Sequence, residues 1–160
     1  MLTLARCDDR LIHGQCMTVI IKEYDIQHIL VVDDFTASNP ILKTVFQTAV
    51  PSNMIANVYT VKDAVLPIQE AMTNNKKTLL LMKNPIVYEQ LIEVITDLPR
   101  ELNIGPMSNR KGAIAATPQA QLLPEEAEAI KHLTAQGIRV FFRQIPTQKA
   151  VEWEEVKDRF

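Results

Sequence analysis

Residues 6–17 read RCDDRLIHGQCM. Two arginines, two aspartates and an imidazole stand ahead of a glycine, and the chain then enters an apolar-periodic stretch with the spacing of a helix. His13 is the group with the clearest chemistry, because an imidazole is substantially neutral at cell pH and nucleophilic without further activation. Gly14 lets the backbone approach a ligand with no Cβ in the way. The unpaired amides of a helix start, together with the positive end of its dipole, favour an anion there. Arg10, three residues before His13, carries a planar fork of donors matched to phosphate oxygens. Asp8 or Asp9 can accept a hydrogen bond from the second ring nitrogen and fix the tautomer. The chemistry that fits is phosphoryl transfer, in which the imidazole attacks phosphorus while arginine and amides hold the developing charge. Taken one by one, the same residues also suit a helix cap and a surface ion pair.

Such a loop needs elements to hold it. Leu2–Cys7 has the pattern of a strand and Gln15–Glu23 that of a helix. HILVVDD at 28–34 is a buried strand rich in β-branched residues. Ser-Asn-Pro at 38–40 caps a helix over Ile41–Val50, and Ile55–Tyr59 is a short strand. Thr60 to Asp63 opens a helix to about Met72. KTLLLM at 77–82 is a second buried strand, and Asn84-Pro85 starts a helix to about Ile95. Leu102–Ile104 and Ala113–Ala116 form short strands around the loop GPMSNRKG. Pro124–Gln136 is helical with Gly137 as its stop, and Arg139–Arg143 is a strand. The tail from Thr147 is expected to be a final helix laying Val151, Trp153 and Val156 on the body.

Strands alternating with helices predict an α/β fold of three layers, a largely parallel central sheet with helices on both faces. At 160 residues the chain suits a single domain over 1–160. Ligands in such sheets sit beyond the carboxyl ends of the strands. That rule selects the loops Asp8–Gly14, which follows the first strand, Asp33–Asn39 and Gly105–Gly112.

Several functions are excluded. The formal net charge of -2 gives no basic footprint for nucleic acid. No apolar run is long enough to span a bilayer, and the N-terminus lacks the pattern of a signal peptide, so the chain reads as cytoplasmic. The four glycines form neither GxGxxG nor a Walker loop. Asp33-Asp34 suggests the acidic cluster of a response-regulator receiver, but no later strand ends in the aspartate that a receiver phosphorylates, so this pair is expected to shape its loop. The two cysteines, Cys7 and Cys16, have no zinc-site spacing and read as packing residues, with a thiolate nucleophile as the competing role. No metal or cofactor is expected.

The run Ala5 to Gln15, ARCDDRLIHGQ, closely resembles the ARIDDRLIHGQV signature of the IIB subunits of the mannose/fructose/sorbose class of the bacterial sugar phosphotransferase system. The likeness extends to ILVVDD at 29–34, LLLMKNP at 79–85, NIGPMS at 103–108 and a late GI…R-x-I-P-T at 137–147. The resemblance implies a phosphocarrier. Its histidine accepts a phosphoryl group from a phosphohistidine of a IIA protein or domain. It then passes the group to a sugar carried by the IIC and IID membrane components, which implies peripheral association with that permease. His13 matches the phosphorylated histidine and Arg10 the arginine contacting the phosphoryl group. Arg6, Asp8, Asp9, Gly14, Gln15 and Ser108 match phosphate-binding or supporting positions. The family fold agrees with the α/β reading, and its members can associate, which allows a homodimer. Cys7 and Cys16 replace aliphatic residues, Ile20 stands where many members carry tryptophan, and Pro106 replaces a glycine of the family's GGMS loop. The competing expectations are a diverged, non-catalytic phosphate- or phosphosugar-binding regulatory module and a phosphocysteine protein.

Overall fold

The computed structural model describes residues 1–160, the side chains of Gln15 and Cys16 excepted. The chain begins with β1 (Leu2–Cys7), α1 (Gly14–Glu23), β2 (His28–Val32), a single turn α2 (Asp34–Ala37), α3 (Pro40–Thr48) and β3 (Ile55–Tyr59). It continues with α4 (Val61–Thr73), β4 (Thr78–Met82), α5 (Pro85–Val94), β5 (Glu101–Ile104) and the hairpin β6 (Ile114–Thr117) and β7 (Ala120–Leu122). It closes with α6 (Pro124–Ala135), β8 (Arg139–Phe142), β9 (Val151–Glu152) and a last turn α7 (Trp153–Val156).

Seven strands form one sheet in the order β3-β2-β4-β1-β5-β8-β9, parallel throughout except for β9. Strand side chains alternate between two cores, as the pleat requires. Ala5, Cys7, Leu30, Val32, Leu80, Met82, Leu102 and Ile104 face one core, which is closed by residues of α4, α5 and α6. Leu4, Ile29, Val31, Leu79 and Leu81 face the other, closed by Met17, Ile20 and Ile21 of α1 and Phe46 of α3. The doubly buried β4, five consecutive buried residues, is the hallmark of a parallel strand covered on both sides. The expected three layers are therefore present.

Local chemistry sets the helix starts. The Asn39 side chain accepts from Ile41 N and Leu42 N, and that of Asn84 from Ile86 N and Val87 N, each just ahead of a proline whose missing N–H costs nothing there. Gly137 leaves α6 with a φ of 81°, where its own N–H bonds the Thr134 carbonyl.

The tail departs from the expected final helix. Val151 and Glu152 instead pair antiparallel with Phe142 and Phe141 and extend the sheet. Only then does a single helical turn place Trp153 and Val156 in the core, with Phe160 stacked on Trp153 at 5.5 Å. A strand of two residues has no periodicity of its own; it exists because β8 offers it an edge. The turn α2 and the hairpin strand β7 were likewise too short to show a pattern.

Candidate active site

β1 ends at Cys7 between its neighbours β4 and β5, so the following loop leaves from the middle of the sheet. Asp8 N donates to the Met82 carbonyl, and Leu11 N returns to the Asp8 carbonyl at 2.9 Å, closing a tight turn. Leu11 takes a φ of 59°, a left-handed conformation that costs a branched residue energy. Its side chain is fully buried in the α1-side core, which holds the turn in place. Gly14 follows at φ 55° and starts α1, with no acidic residue in the first turn to neutralise the helix's positive end.

This turn lays His13 over Asp8. His13 Nε2 lies 3.0 Å from Asp8 Oδ1, with the two side chains 18% and 1% exposed. The same carboxylate oxygen accepts from Arg10 N at 3.1 Å. Burial pushes the Asp8 carboxyl up, opposed by the Arg10 amide, by His13 and by the Arg6 charge. A carboxylate only accepts, so in the neutral ring Nε2 carries the proton and Nδ1 keeps its lone pair. Among the described residues none hydrogen-bonds Nδ1. The Arg10 side chain is exposed and makes no hydrogen bond or ion pair among the described residues, which leaves its donors available.

The two aspartates thus divide the work. Asp8 orients the ring. Asp9 instead ties two loops together: its Oδ2 accepts from Ser108 N at 2.6 Å and its N–H donates to the Pro106 carbonyl at 3.3 Å. Ser108 itself is exposed beside the acceptor loop. At Pro106 it is the carbonyl that bonds Asp9, an acceptor proline retains.

Arg6, expected at a phosphate-binding or supporting position, turns inward. It is completely buried, and its guanidinium donates to Asn103 Oδ1 and to the carbonyls of Arg143 and Gln144. Leu4 and Arg6 share one face of β1, and the sheet brings Asn103 to the position beside Arg6, so Arg6 ties the end of β1 to β5 and to the turn after β8. A Cβ at Gly105 would sit 2.5 Å from Arg6 Nη2 and 2.9 Å from the Cys7 carbonyl, so only glycine fits. Asn103 went unnoticed in the sequence, although a polar residue inside a buried strand signals a buried hydrogen-bond partner.

Cys7 is fully buried, and burial raises its thiol well above the ordinary value, which removes it as a thiolate nucleophile. The expectations for Gln15 and Cys16 fall on side chains outside those described. Asp33 caps α2 through Thr36 and pairs with Lys83 at 3.1 Å, while Asp34 accepts from Val61 N; both shape their loop. Ile20 is buried in the α1-side core. A cleft of 650 Å³ opens beside the imidazole between α1 and the end of α3, lined among others by His13, Gly14, Met17, Ile21, Val50 and Pro51.

The family model for the PTS system sorbose subfamily IIB component matches residues 2–159. The chain belongs to that family. The chain is 30% identical over 154 residues to the PTS system sorbose-specific EIIB component of Klebsiella pneumoniae, covering 94% of this chain and 91% of that one. It is 32% identical over 144 residues to the PTS system mannose-specific EIIAB component of Escherichia coli strain K12; the match takes in 90% of this chain but 44% of that protein. The chain therefore spans less than half the length of this mannose-specific relative. The crystal structure of the IIBSor domain of the sorbose permease from Klebsiella pneumoniae has a TM-score of 0.87 at 28% identity, covering 99% of this chain and 94% of that one. A second solved structure, described as a phosphoenolpyruvate-dependent phosphotransferase system, has a TM-score of 0.89 at 26% identity, with 99% and 98% covered. The chain is thus similar, over nearly its whole length, to IIB components of sugar phosphotransferase systems. Among the described residues, no helix is long and apolar enough to cross a membrane.

Proposed function

We propose that the chain, acting as one unit, accepts a phosphoryl group on His13 Nδ1 from a phosphohistidine of a IIA protein or domain. It then delivers the group to a sugar moving through IIC/IID membrane components, on whose cytoplasmic side it docks. The observation that carries this reading is the His13–Asp8 pair, which points one ring nitrogen at a buried carboxylate and leaves the other with its lone pair.

In the first step the Nδ1 lone pair forms a bond to phosphorus as the donor's own nitrogen–phosphorus bond breaks, and the donor imidazole, protonated on its other ring nitrogen, leaves neutral. Positive charge develops on the His13 ring, and the Nε2–H to Asp8 hydrogen bond meets it. Arg10 and the amides at the start of α1 hold the phosphoryl oxygens. Breaking and forming the same kind of bond keeps the step close to isoenergetic, so the protein mainly supplies alignment. In the second step a sugar hydroxyl attacks phosphorus as the Nδ1–phosphorus bond breaks; the hydroxyl proton passes to water, and His13, still protonated at Nε2, departs as a neutral imidazole. Ser108, Asp9 and Arg6 support the loop, and Gly14 opens its backbone to the phosphoryl group.

The test is intact-protein mass spectrometry after incubation with phosphoenolpyruvate, the general phosphotransferase proteins and a mannose-class IIA. Wild type and the double variant Cys7→Ser, Cys16→Ser are expected to gain one acid-labile phosphoryl group, and His13→Ala none. Absence of label on folded wild type overturns the proposal in favour of a phosphate-binding module without transfer.

A further inference from the structure

Arg110 takes no part in the chemistry described so far, yet nearly all its donors are committed. Its Nε donates to the Ser108 carbonyl at 3.0 Å and its Nη2 to the Gln121 carbonyl at 2.8 Å. Both terminal nitrogens clasp Glu126, Nη1 to Oε2 at 3.0 Å and Nη2 to Oε1 at 2.9 Å. Glu126 is 2% exposed and anchored in turn, since its Oε1 accepts from Leu123 N at 2.8 Å at the start of α6. A bidentate arginine–carboxylate pair with one partner buried is a rigid joint. The bond to Glu126 is the largest reason the Arg110 guanidinium holds its proton more firmly than usual.

The joint acts on one peptide segment. The Ser108 carbonyl is held by Arg110, and the Ser108 N–H is held by the Asp9 carboxylate. Asp9 adjoins Asp8, whose other neighbour in space is the His13 ring. A continuous line of short contacts therefore runs from the α6 start through Glu126, Arg110, Ser108 and Asp9 to the turn that carries the imidazole. Met107 adds a second tether on the same segment, its N–H bonding the Gln119 carbonyl and its carbonyl accepting from Gln121 N. Arg110 has no spare fork for a phosphate, so its effect on transfer must pass through position.

We infer that Arg110, clasped by Glu126, is a positioning residue for phosphoryl transfer: it fixes the Ser108 segment against Asp9 and thereby sets the acceptor loop before the donor arrives. This rests on the proposed transfer to His13. Loss of the clasp lowers the rate of transfer within the docked complex and leaves docking unaltered, because Arg110 does not need to touch the donor.

The test uses the full chain with Arg110→Met, Arg110→Lys, which keeps the charge but not the fork, and Glu126→Gln, which keeps an acceptor for Leu123 N. Rapid-quench phosphorylation by phosphorylated IIA is read as a rate at saturating donor and a half-saturating donor concentration. The expected result is a fall of about 10- to 100-fold in the rate for both Arg110 variants, with half-saturation unchanged within about twofold. Glu126→Gln falls in between. In parallel, the Ser108 amide and the His13 ring nitrogens of labelled, unphosphorylated protein are followed by NMR, which needs no donor. Both are expected to shift in every variant, and Arg110→Lys is expected not to rescue. Wild-type rates in folded Arg110 variants, a loss confined to half-saturation, or unmoved Ser108 and His13 signals would each overturn the inference. Failure of wild type to be phosphorylated refutes the transfer reading alone, while the NMR arm still decides whether Arg110 positions the loop.

Discussion

Asp8→Asn separates stability from activity. Asp8 is buried, and burial is the first cause of its raised carboxyl value. The folded state therefore disfavours the charge at this position relative to its neutral form. Asparagine keeps the shape and an acceptor for Arg10 N–H and His13 Nε2–H, and it removes the buried charge. Removing that charge favours the folded variant, while its Nδ2 takes the place of an Oδ2 that is buried with no partner and offsets part of the gain, so Asp8→Asn should melt within a few degrees of wild type at neutral pH. The pH dependence follows from the sign of the shift. A carboxyl whose folded value lies above its unfolded value costs stability while ionised, and that cost is relieved as pH falls through the folded value. The advantage of Asp8→Asn should accordingly be full near neutrality and shrink on acidification. Activity runs the other way. A hydrogen bond to a charged partner contributes about 1.5–3 kcal/mol, and its charge matters most as the ring becomes cationic. A neutral acceptor keeps the bond but forfeits its charged share, about 1–1.5 kcal/mol, which corresponds to a rate loss of about 5- to 13-fold at saturating donor. Thermal melts over a pH series and single-turnover phosphorylation measure the two sides. A variant that melts well below wild type at neutral pH, or transfers at the wild-type rate, refutes the account of Asp8.

Three further outcomes follow from the packing. Gly105→Ala forces a Cβ against Arg6 and the Cys7 carbonyl, and should lower the denaturant midpoint by the equivalent of about 1–3 kcal/mol. An unchanged midpoint would mean Arg6 can move aside. The His28 imidazole, half-buried and bonded to Asn57 at 2.7 Å, has its value lowered chiefly by burial. Stability from this group is present above the ordinary histidine value and lost as pH falls below it, so His28→Gln should flatten the acid limb of a pH–stability curve. Trp153→Ala empties a core position of the tail and should cost about 3–5 kcal/mol in a chemical melt; a loss under 1 kcal/mol would show the tail to be dispensable.

Legibility varied with the range of the interactions. The strand TLLLM and the Asn-Pro helix starts at 39–40 and 84–85 are local signals, and the structure follows them. β9 is not local: Val151 and Glu152 are strand because Phe142 and Phe141 lie beside them. The placing of His13 on the loop after the first strand followed from strand-helix alternation; the central place of that strand is set by the sheet order. The division of labour between Asp8 and Asp9 did not, because adjacent residues on a turn point in different directions and only the 105–108 loop reveals where Asp9 goes. Arg6 reads in sequence as one more cation near the site. Its partners Asn103, Arg143 and Gln144 arrive only through the sheet.

That buried guanidinium also has a consequence for how the protein comes to be competent. Arg6 reaches Arg143 and Gln144 across separations of 137 and 138 residues, linking the first strand to the turn after the last parallel strand. These bonds need the two ends of the chain side by side, since residues 143 and 144 directly follow β8. The guanidinium at the end of β1 is therefore satisfied only in chains whose β8 has docked. A chain cut short before β8 would leave that buried cation without these two carbonyls, a cost borne next to the loop that carries His13.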